Sequence, residues 1–177
     1  ARKATTARLR RGAGKTKSTA RARRPAAVAM SKTAMLIRRR VGDVLEALIN
    51  PEITTKFWFT GSTGPHEAGR QVHWEWEMYG FAVQVKARAI EPNKRIVIEW
   101  SGYKNPTTVE WTFAPRGDTT FVTVTESGFG GSNEEVMRQV GDSAGGFSFV
   151  LAGLKAWLEH NVRLNLVPDR HPKGIDQ

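Results

Sequence analysis

The 177-residue sequence contains no cysteine, which excludes disulfide bonds, thiolate nucleophiles and metal sites with cysteine ligands. It also lacks any apolar run near the roughly 20 residues that a membrane-spanning helix needs. The best candidate, FSFVLAGLKAWL, is interrupted by Ser148 and Lys155. We therefore expect a chain without a membrane span and, because cysteine is absent, a cytoplasmic location.

Acidic residues are missing from residues 1–32, which hold 11 of the 27 lysines and arginines. The rest of the chain has 16 basic and 17 acidic residues, so this tail accounts for the net charge of +10. The tail has almost no large apolar residue apart from Leu9, and we predict that it is disordered. It is open to three interpretations: non-specific phosphate binding, a transit peptide, or an extension without a role. We favour the last and expect no specific nucleic-acid partner.

The remaining sequence predicts a mixture of helices and antiparallel strands. Residues 33–41 are typical of a first strand, and two short helices follow within residues 43–59. In these helices Asp43 is placed to cap the first and Pro51 to begin the second. Further strands are predicted over residues 70–77, 79–91, 95–102, 107–115 and 119–127. Their short connections indicate an antiparallel meander.

A long amphipathic helix is predicted from about residue 141 to residue 166. Its apolar stripe consists of Phe147, Leu151, Leu154, Leu158 and Val162. The preceding GFGGSNEE segment, residues 128–135, is expected to be a flexible connection, and residues 168–177 a loose terminus. We therefore predict a basic tail at 1–32, one folded domain at 33–167 and a loose end at 168–177.

The segment His73-Trp-Glu-Trp-Glu77 alternates aromatic rings with carboxylates. Period-two alternation is typical of a half-buried strand, so Val72, Trp74 and Trp76 share one face and the polar residues share the other. The pattern leaves two possibilities for the rings. They either fill a core or line a hollow between a sheet and a helix.

Three segments resemble a known family. DVLEALINPEITTKFWF (residues 43–59), TVTESGF (123–129) and GFSFVLAGLKAWLEH (146–160) are similar to motifs of the START-like (SRPBCC) superfamily, in the branch named for homology to the activator of the heat-shock protein 90 ATPase. The resemblance covers about residues 34–166. It implies an α+β helix-grip fold, in which a curved antiparallel sheet wraps around a long C-terminal helix and two short helices follow the first strand.

Two details depart from the family's pattern. RRRVGD stands where an apolar-proline segment is usual, and the last helix contains Gly-Phe rather than Gly-Trp. The chaperone activator also has an additional N-terminal domain, which the basic tail does not resemble. We therefore do not take the branch's name as a function.

The expected function is the binding of a small apolar or aromatic molecule between the sheet and the last helix. The residues predicted to line the cavity are Trp58, Trp74, Trp76, Tyr79, Phe81, Trp100, Trp111, Phe113, Phe147, Val150, Leu151, Leu154 and Trp157. No catalytic residue, metal or cofactor is assigned. The carboxylates considered, Glu75, Glu77, Glu99 and Glu110, are expected on a solvated outer face.

Two alternatives stay open. One is an enzyme similar to the superfamily's cyclases and hydrolases, using a cavity carboxylate, a histidine or Tyr79. The other is a module that interacts with a chaperone. The expected partner is a small hydrophobic molecule, with a chaperone as the second candidate, and the chain is expected to be a monomer or a homodimer.

Overall fold

The computed structural model describes residues 28–172. The strands are β1 (Met30–Ile37), β2 (Gly61–Ser62), β3 (Gln71–Trp76), β4 (Phe81–Glu91), β5 (Arg95–Trp100), β6 (Thr107–Arg116) and β7 (Thr119–Ser127). The helices are α1 (Val41–Ile49), α2 (Pro51–Thr54), α3 (Asn133–His160) and α4 (Leu166–Arg170). The predictions of a disordered tail and a loose end, as far as they concern residues 1–27 and 173–177, lie outside the described residues.

The seven strands form one antiparallel sheet in the order β1-β7-β6-β5-β4-β3-β2. Strands β3 to β7 follow one another as the predicted meander, and β1 pairs with β7 at one edge. A register shift between Ala87 and Ala89 marks an irregularity in β4, of the kind that increases local twist. The long helix α3 packs on one face of this curved sheet, which confirms the α+β helix-grip fold.

The alternation in β3 is confirmed. Val72, Trp74 and Trp76 are buried, whereas His73 and Glu75 are exposed on the other face. Glu99 and Glu110 form ion pairs with arginines on that outer face, Glu99 with Arg88 at 2.6 Å. In the described part of the chain, no helix is long and apolar enough to span a membrane.

Helix α3 begins at Asn133 rather than near residue 141, so the prediction of a flexible connection over 128–135 is wrong in its second half. The cause is a capping box. The Ser132 hydroxyl accepts a hydrogen bond from the Glu135 backbone N–H at 3.2 Å, and the Glu135 carboxylate accepts one from the Ser132 N–H at 2.7 Å. The helix ends at His160 because Asn161 adopts a left-handed conformation with φ of 54°.

Smaller boundaries also differ from expectation. β1 spans residues 30–37 rather than 33–41. Helix α1 begins at Val41, so Asp43 lies in its first turn and does not cap it. A 3₁₀ turn over Glu77–Tyr79, closed by left-handed Gly80, separates β3 from β4. Part of the terminus predicted to be loose forms α4.

Gly153 of α3 allows the helix to approach the segment after α2. A Cβ atom there would lie 3.0 Å from Phe57 Cβ and 3.2 Å from the Phe57 carbonyl oxygen. At Gly141, in the same helix, no atom of the described part of the chain lies within 4 Å of the corresponding position. The two glycines therefore destabilise the helix backbone equally, but only Gly153 is closely packed against another segment.

We expect Gly141→Ala to raise the free energy of unfolding by about 1 kcal/mol, because alanine is the better helix former. Gly153→Ala has the same propensity gain and is expected to lower the free energy of unfolding, because the backbone of Phe57 must move. Urea denaturation of both variants measures the difference. Equal stabilisation by the two substitutions would contradict the close approach.

His66 lies in the loop between β2 and β3 and is only 6% exposed. Its ring packs edge-on against Trp74 at 4.7 Å, and neither ring nitrogen has a hydrogen-bond partner among the residues that the structure describes. Burial lowers the pKa of His66 from 6.5 to about 4. Between pH 6.5 and about pH 4, the His66 ring is therefore neutral in the folded protein and protonated in the unfolded chain.

Because the pKa of His66 is lowered on folding, its contribution to stability is complete above pH 6.5 and is lost as the pH falls towards 4. We expect wild type to lose on the order of 3 kcal/mol more than His66→Phe between pH 7 and pH 4. Urea denaturation across this range measures it, with exposed His73→Phe as the control. Parallel pH profiles for wild type and His66→Phe would refute the assignment.

Candidate functional site

A cavity of about 200 Å³ lies between the sheet and the middle of α3, residues 142–150. Its walls are mainly aromatic and include Trp58, Trp76, Trp100, Tyr103, Phe147 and Phe149. Its polar lining groups are Glu126, Asp142, Ser143, Arg170 and His171. An apolar chamber with a few placed polar groups is the usual form of a small-molecule site.

The cavity continues into an outer recess of about 360 Å³. Both are bordered by Trp76, Tyr79, Trp100 and Tyr103, and the outer recess adds Phe81. Tyr79 and Phe81 are 37% and 42% exposed, because they lie where β4 begins and the sheet edge is open. The chamber is therefore reached from the β3–β4 end of the sheet.

The structure divides the thirteen residues predicted to line a cavity into four groups. Six line the inner chamber: Trp58, Trp76, Tyr79, Trp100, Phe147 and Val150. Phe81 borders the outer recess. Five are buried in the core and do not line this chamber: Trp74, Trp111, Phe113, Leu151 and Leu154. Trp157 is half-buried against the core.

At these core positions the sheet is in direct contact with the segment after α2 or with α3, and this is why the chamber does not reach them. The Trp74 ring stacks on Phe59 at 4.5 Å and meets Trp58 at 4.7 Å. Trp111 meets Phe147 edge-on at 5.5 Å. The two possibilities that the sequence left open for the aromatic rings are thus both present on the inner face of the sheet. The rings fill a packed core at one end and line a hollow at the other.

Glu126 of β7 is the central polar group of the chamber, with only 1% of its surface exposed. Its Oε1 accepts hydrogen bonds from the Trp100 indole N–H at 2.8 Å and the Thr107 hydroxyl at 2.5 Å. Its Oε2 accepts one from the Ser143 hydroxyl at 2.5 Å. Ser143 is in turn 2.6 Å from the Ser31 hydroxyl of β1. The carboxylate therefore connects β5, β6, α3 and β1.

Tyr103 lies beside this group in the loop between β5 and β6. Its hydroxyl donates a hydrogen bond to the Gln139 carbonyl at 3.3 Å. Burial raises the pKa of Tyr103, and the nearby Glu126 and Asp142 carboxylates raise it further. The phenol therefore stays protonated at neutral pH.

Helix α4 lies across the mouth of the chamber. The Tyr79 hydroxyl donates a hydrogen bond to the Val167 carbonyl. The Arg170 guanidinium lies 5.6 Å from the centre of the Phe149 ring and donates to the Asp142 carbonyl at 3.4 Å. A Cβ atom on Gly145 would be only 3.0 Å from this guanidinium, so the absence of a side chain at residue 145 leaves room for Arg170.

The polar half of the site was not predicted from the sequence. Glu126 had a detectable signal, because β7 buries Val122, Val124 and Glu126 on one parity, and an acidic residue on a buried parity is uncommon. No sequence pattern indicated Tyr103 or Arg170, because a loop and a short C-terminal helix bring them to the chamber. Among residues 28–172, no group of three or more His, Asp or Glu is arranged to hold a metal ion.

The sheet wrapped around a long C-terminal helix, with a hollow between them, defines a protein of the START-like class with the helix-grip fold. The chain belongs to the family described as Activator of Hsp90 ATPase homolog 1-like protein, which matches residues 40–159. This match confirms the resemblance to the family that the three sequence motifs indicated. No curated protein matches the chain.

Solved structures share this fold. A protein from Staphylococcus saprophyticus is 27% identical with a TM-score of 0.67, over 76% of this chain and 95% of that one. The Aha1 dimer from Colwellia psychrerythraea is 18% identical with a TM-score of 0.64, over 74% and 96%. CalU16 from Micromonospora echinospora is 14% identical with a TM-score of 0.59, over 78% and 87%.

We expect Glu126→Leu to lower the free energy of unfolding by at least about 2 kcal/mol, because three donors lose their acceptor at about 1–3 kcal/mol for each group left unpaired. Glu126→Gln is expected to cost less, since its amide oxygen still accepts from Trp100 and Thr107. Urea denaturation measures both. Glu110→Leu on the outer face is the control, and a loss as large as that of Glu126→Leu would contradict the role of the buried network.

Proposed function

We propose that the protein binds a small aromatic or apolar molecule in the chamber between the sheet and α3. The observation that carries this proposal is the aromatic lining around a few placed polar groups. Membership of the family supports it only at the level of the fold, in which the space between sheet and helix is the natural place for a ligand.

The size of the chamber limits the ligand. At about 200 Å³ the inner chamber is smaller than the roughly 300–1,000 Å³ typical of drug-sized ligand sites, so it suits one or two fused rings, and any larger part of a ligand lies in the outer recess of about 360 Å³. Burying about 200 Å² of hydrocarbon supplies roughly 5 kcal/mol before the costs of ordering. We therefore expect affinities in the micromolar range unless polar contacts add to them.

An enzyme of the cyclase or hydrolase type is the second candidate, and Glu126 favours it, because a buried carboxylate facing a cavity is a common general acid or base. Three hydrogen-bond donors hold this carboxylate in place, however. A carboxylate fixed in this way is as well suited to orienting a bound molecule as to transferring a proton. Conversion of a bound compound, rather than simple retention, would favour the enzyme.

The experiment for the proposed function is native mass spectrometry of the full chain, beside a tryptophan-fluorescence and thermal-melting screen. The compounds are fatty acids, aromatic polyketides and simple bicyclic aromatics. Trp58, Trp76 and Trp100 line the chamber, so an aromatic ligand that enters it should quench tryptophan fluorescence. If no compound is retained, quenches or stabilises, the proposal fails and interaction with a chaperone becomes the better hypothesis.

The solved dimer of a related fold supports a homodimer as one of the two predicted oligomeric states. Light scattering of the purified chain distinguishes it from a monomer. The cytoplasmic location stays a prediction.

We expect Gly146→Leu to abolish binding of any ligand found in the screen. Gly146 lines the chamber, and the added side chain meets only the flexible end of Arg170 at 3.3 Å, so the helix can accept it. Gly141→Leu, which adds the same side chain to α3 outside the chamber, should leave binding unchanged. Titration followed by tryptophan fluorescence compares them, and unchanged affinity in Gly146→Leu would place the ligand elsewhere.

A further inference from the structure

We infer that the ligand carries a hydrogen-bond donor, an aromatic O–H or N–H group, which it directs at Glu126. This inference rests on the proposed function and adds the chemical class of the ligand. It excludes aromatic carboxylic acids and purely apolar molecules as the preferred occupants.

The first step is a count of acceptor positions. An ionised carboxylate offers about four lone-pair positions, two on each oxygen. The protein fills two on Oε1, with Trp100 and Thr107, and one on Oε2, with Ser143. Among residues 28–172, one acceptor position of Oε2 therefore has no donor, on a group that lines the chamber.

The second step concerns charge. The three groups that donate to Glu126 are an indole and two hydroxyls, all neutral, and the carboxylate is 1% exposed. A buried anionic acceptor is costly when its hydrogen-bonding capacity is incompletely used. A donor on the ligand therefore gains more at this position than it would in water.

The third step is the character of the neighbouring polar groups. Tyr103 uses its proton on the Gln139 carbonyl, so its oxygen faces other groups as an acceptor. The Ser143 proton is used on Glu126, and Asp142 is a second carboxylate of the lining. Asp142 and Arg170 line both the chamber and the outer recess, so these two opposite charges occur together at the mouth. The inner end of the chamber, around Glu126, thus offers acceptors, and an anionic head group placed there meets like charge.

The aromatic walls fit the rest of such a ligand. Trp58 and Trp100 lie 6.3 Å apart, and Phe147 is 5.9 Å from Trp58 and 6.0 Å from Trp100. This cluster presents ring faces and edges to a flat molecule. A protonated amine would also be attracted to these rings, so both neutral and cationic donors share the recognition.

The test uses the full chain and four probes on one ring system: β-naphthol, its methyl ether, β-naphthylmethylamine and β-naphthoate. Isothermal titration calorimetry measures each affinity. We expect β-naphthol to bind about tenfold or more tightly than its methyl ether, the effect of one hydrogen bond to a charged acceptor. β-Naphthoate should bind most weakly. If the amine binds more tightly than the naphthol, the inference holds and the preferred donor is charged. If the naphthol binds more tightly, the inference holds and the preferred donor is neutral.

Glu126→Gln supplies the second measurement, because an amide nitrogen replaces the available oxygen. We expect the preference for β-naphthol over its methyl ether to disappear in this variant and to persist in Glu110→Gln, an outer-face control. Equal affinities for naphthol and ether in wild type, or a preference that survives Glu126→Gln, would overturn the inference while binding in the chamber stands. No binding of any of the four probes would overturn the proposed function with it. The wild-type comparison needs no variant and decides the matter even if Glu126→Gln folds poorly.

Discussion

One buried carboxylate, Glu126, ties the long helix to the sheet and adds side-chain hydrogen bonds to strands that already pair through their backbones. Its hydrogen bonds reach β5 through Trp100, β6 through Thr107 and α3 through Ser143, and the Ser143–Ser31 contact extends the network to the edge strand β1. A carboxylate in such surroundings is tolerated only when donors surround it. The network therefore requires these elements to meet at one place, and it holds the turn of α3 around Ser143 at a set position relative to the sheet.

The chamber beside this network is a result of how large rings pack. Trp58, Trp76, Trp100 and Phe147 meet mostly at steep angles with their centres about 6 Å apart. Tilted rings leave space that smaller side chains would fill. The mouth is partly covered by α4, which is attached through Tyr79 and through Arg170 above the glycines of α3. The hollow is therefore bounded by rigid aromatic walls on the inside and by a short helix on the outside.

Periodicity in the sequence predicted which side of each element is buried. The alternation around Trp74 and the stripe through Phe147, Leu151 and Leu154 both face the core as expected. Periodicity could not separate the residues that line the chamber from those that fill the core, because both have the same parity. That distinction depends on where α3 stands away from the sheet, which is a tertiary property.

The other failures have local physical causes. The glycines of residues 128–131 concealed the helix start, although Ser132 and Glu135 have the spacing of a capping box. Helix α4 is too short for a periodic signal, and its residues reach the chamber only because Asn161 and Asn165 turn the chain back with left-handed conformations. Glu126 is less conspicuous in the sequence than Glu75, Glu99 and Glu110, because it is an acidic residue on the inward parity of its strand.

Helix α3 changes its role along its length. Its turns from Asp142 to Val150 border the chamber, whereas Leu151, Gly153 and Leu154 lie in the dry core, where Gly153 meets Phe57. The shape of the hollow and the stability of the fold thus depend on different positions of one helix. Gly146 and Phe149 border the hollow outside the Glu126 network, whereas Ser143, Phe147 and the later turns hold the helix to the sheet. Substitutions at Gly146 and Phe149 therefore reshape the hollow without removing a contact that joins helix and sheet.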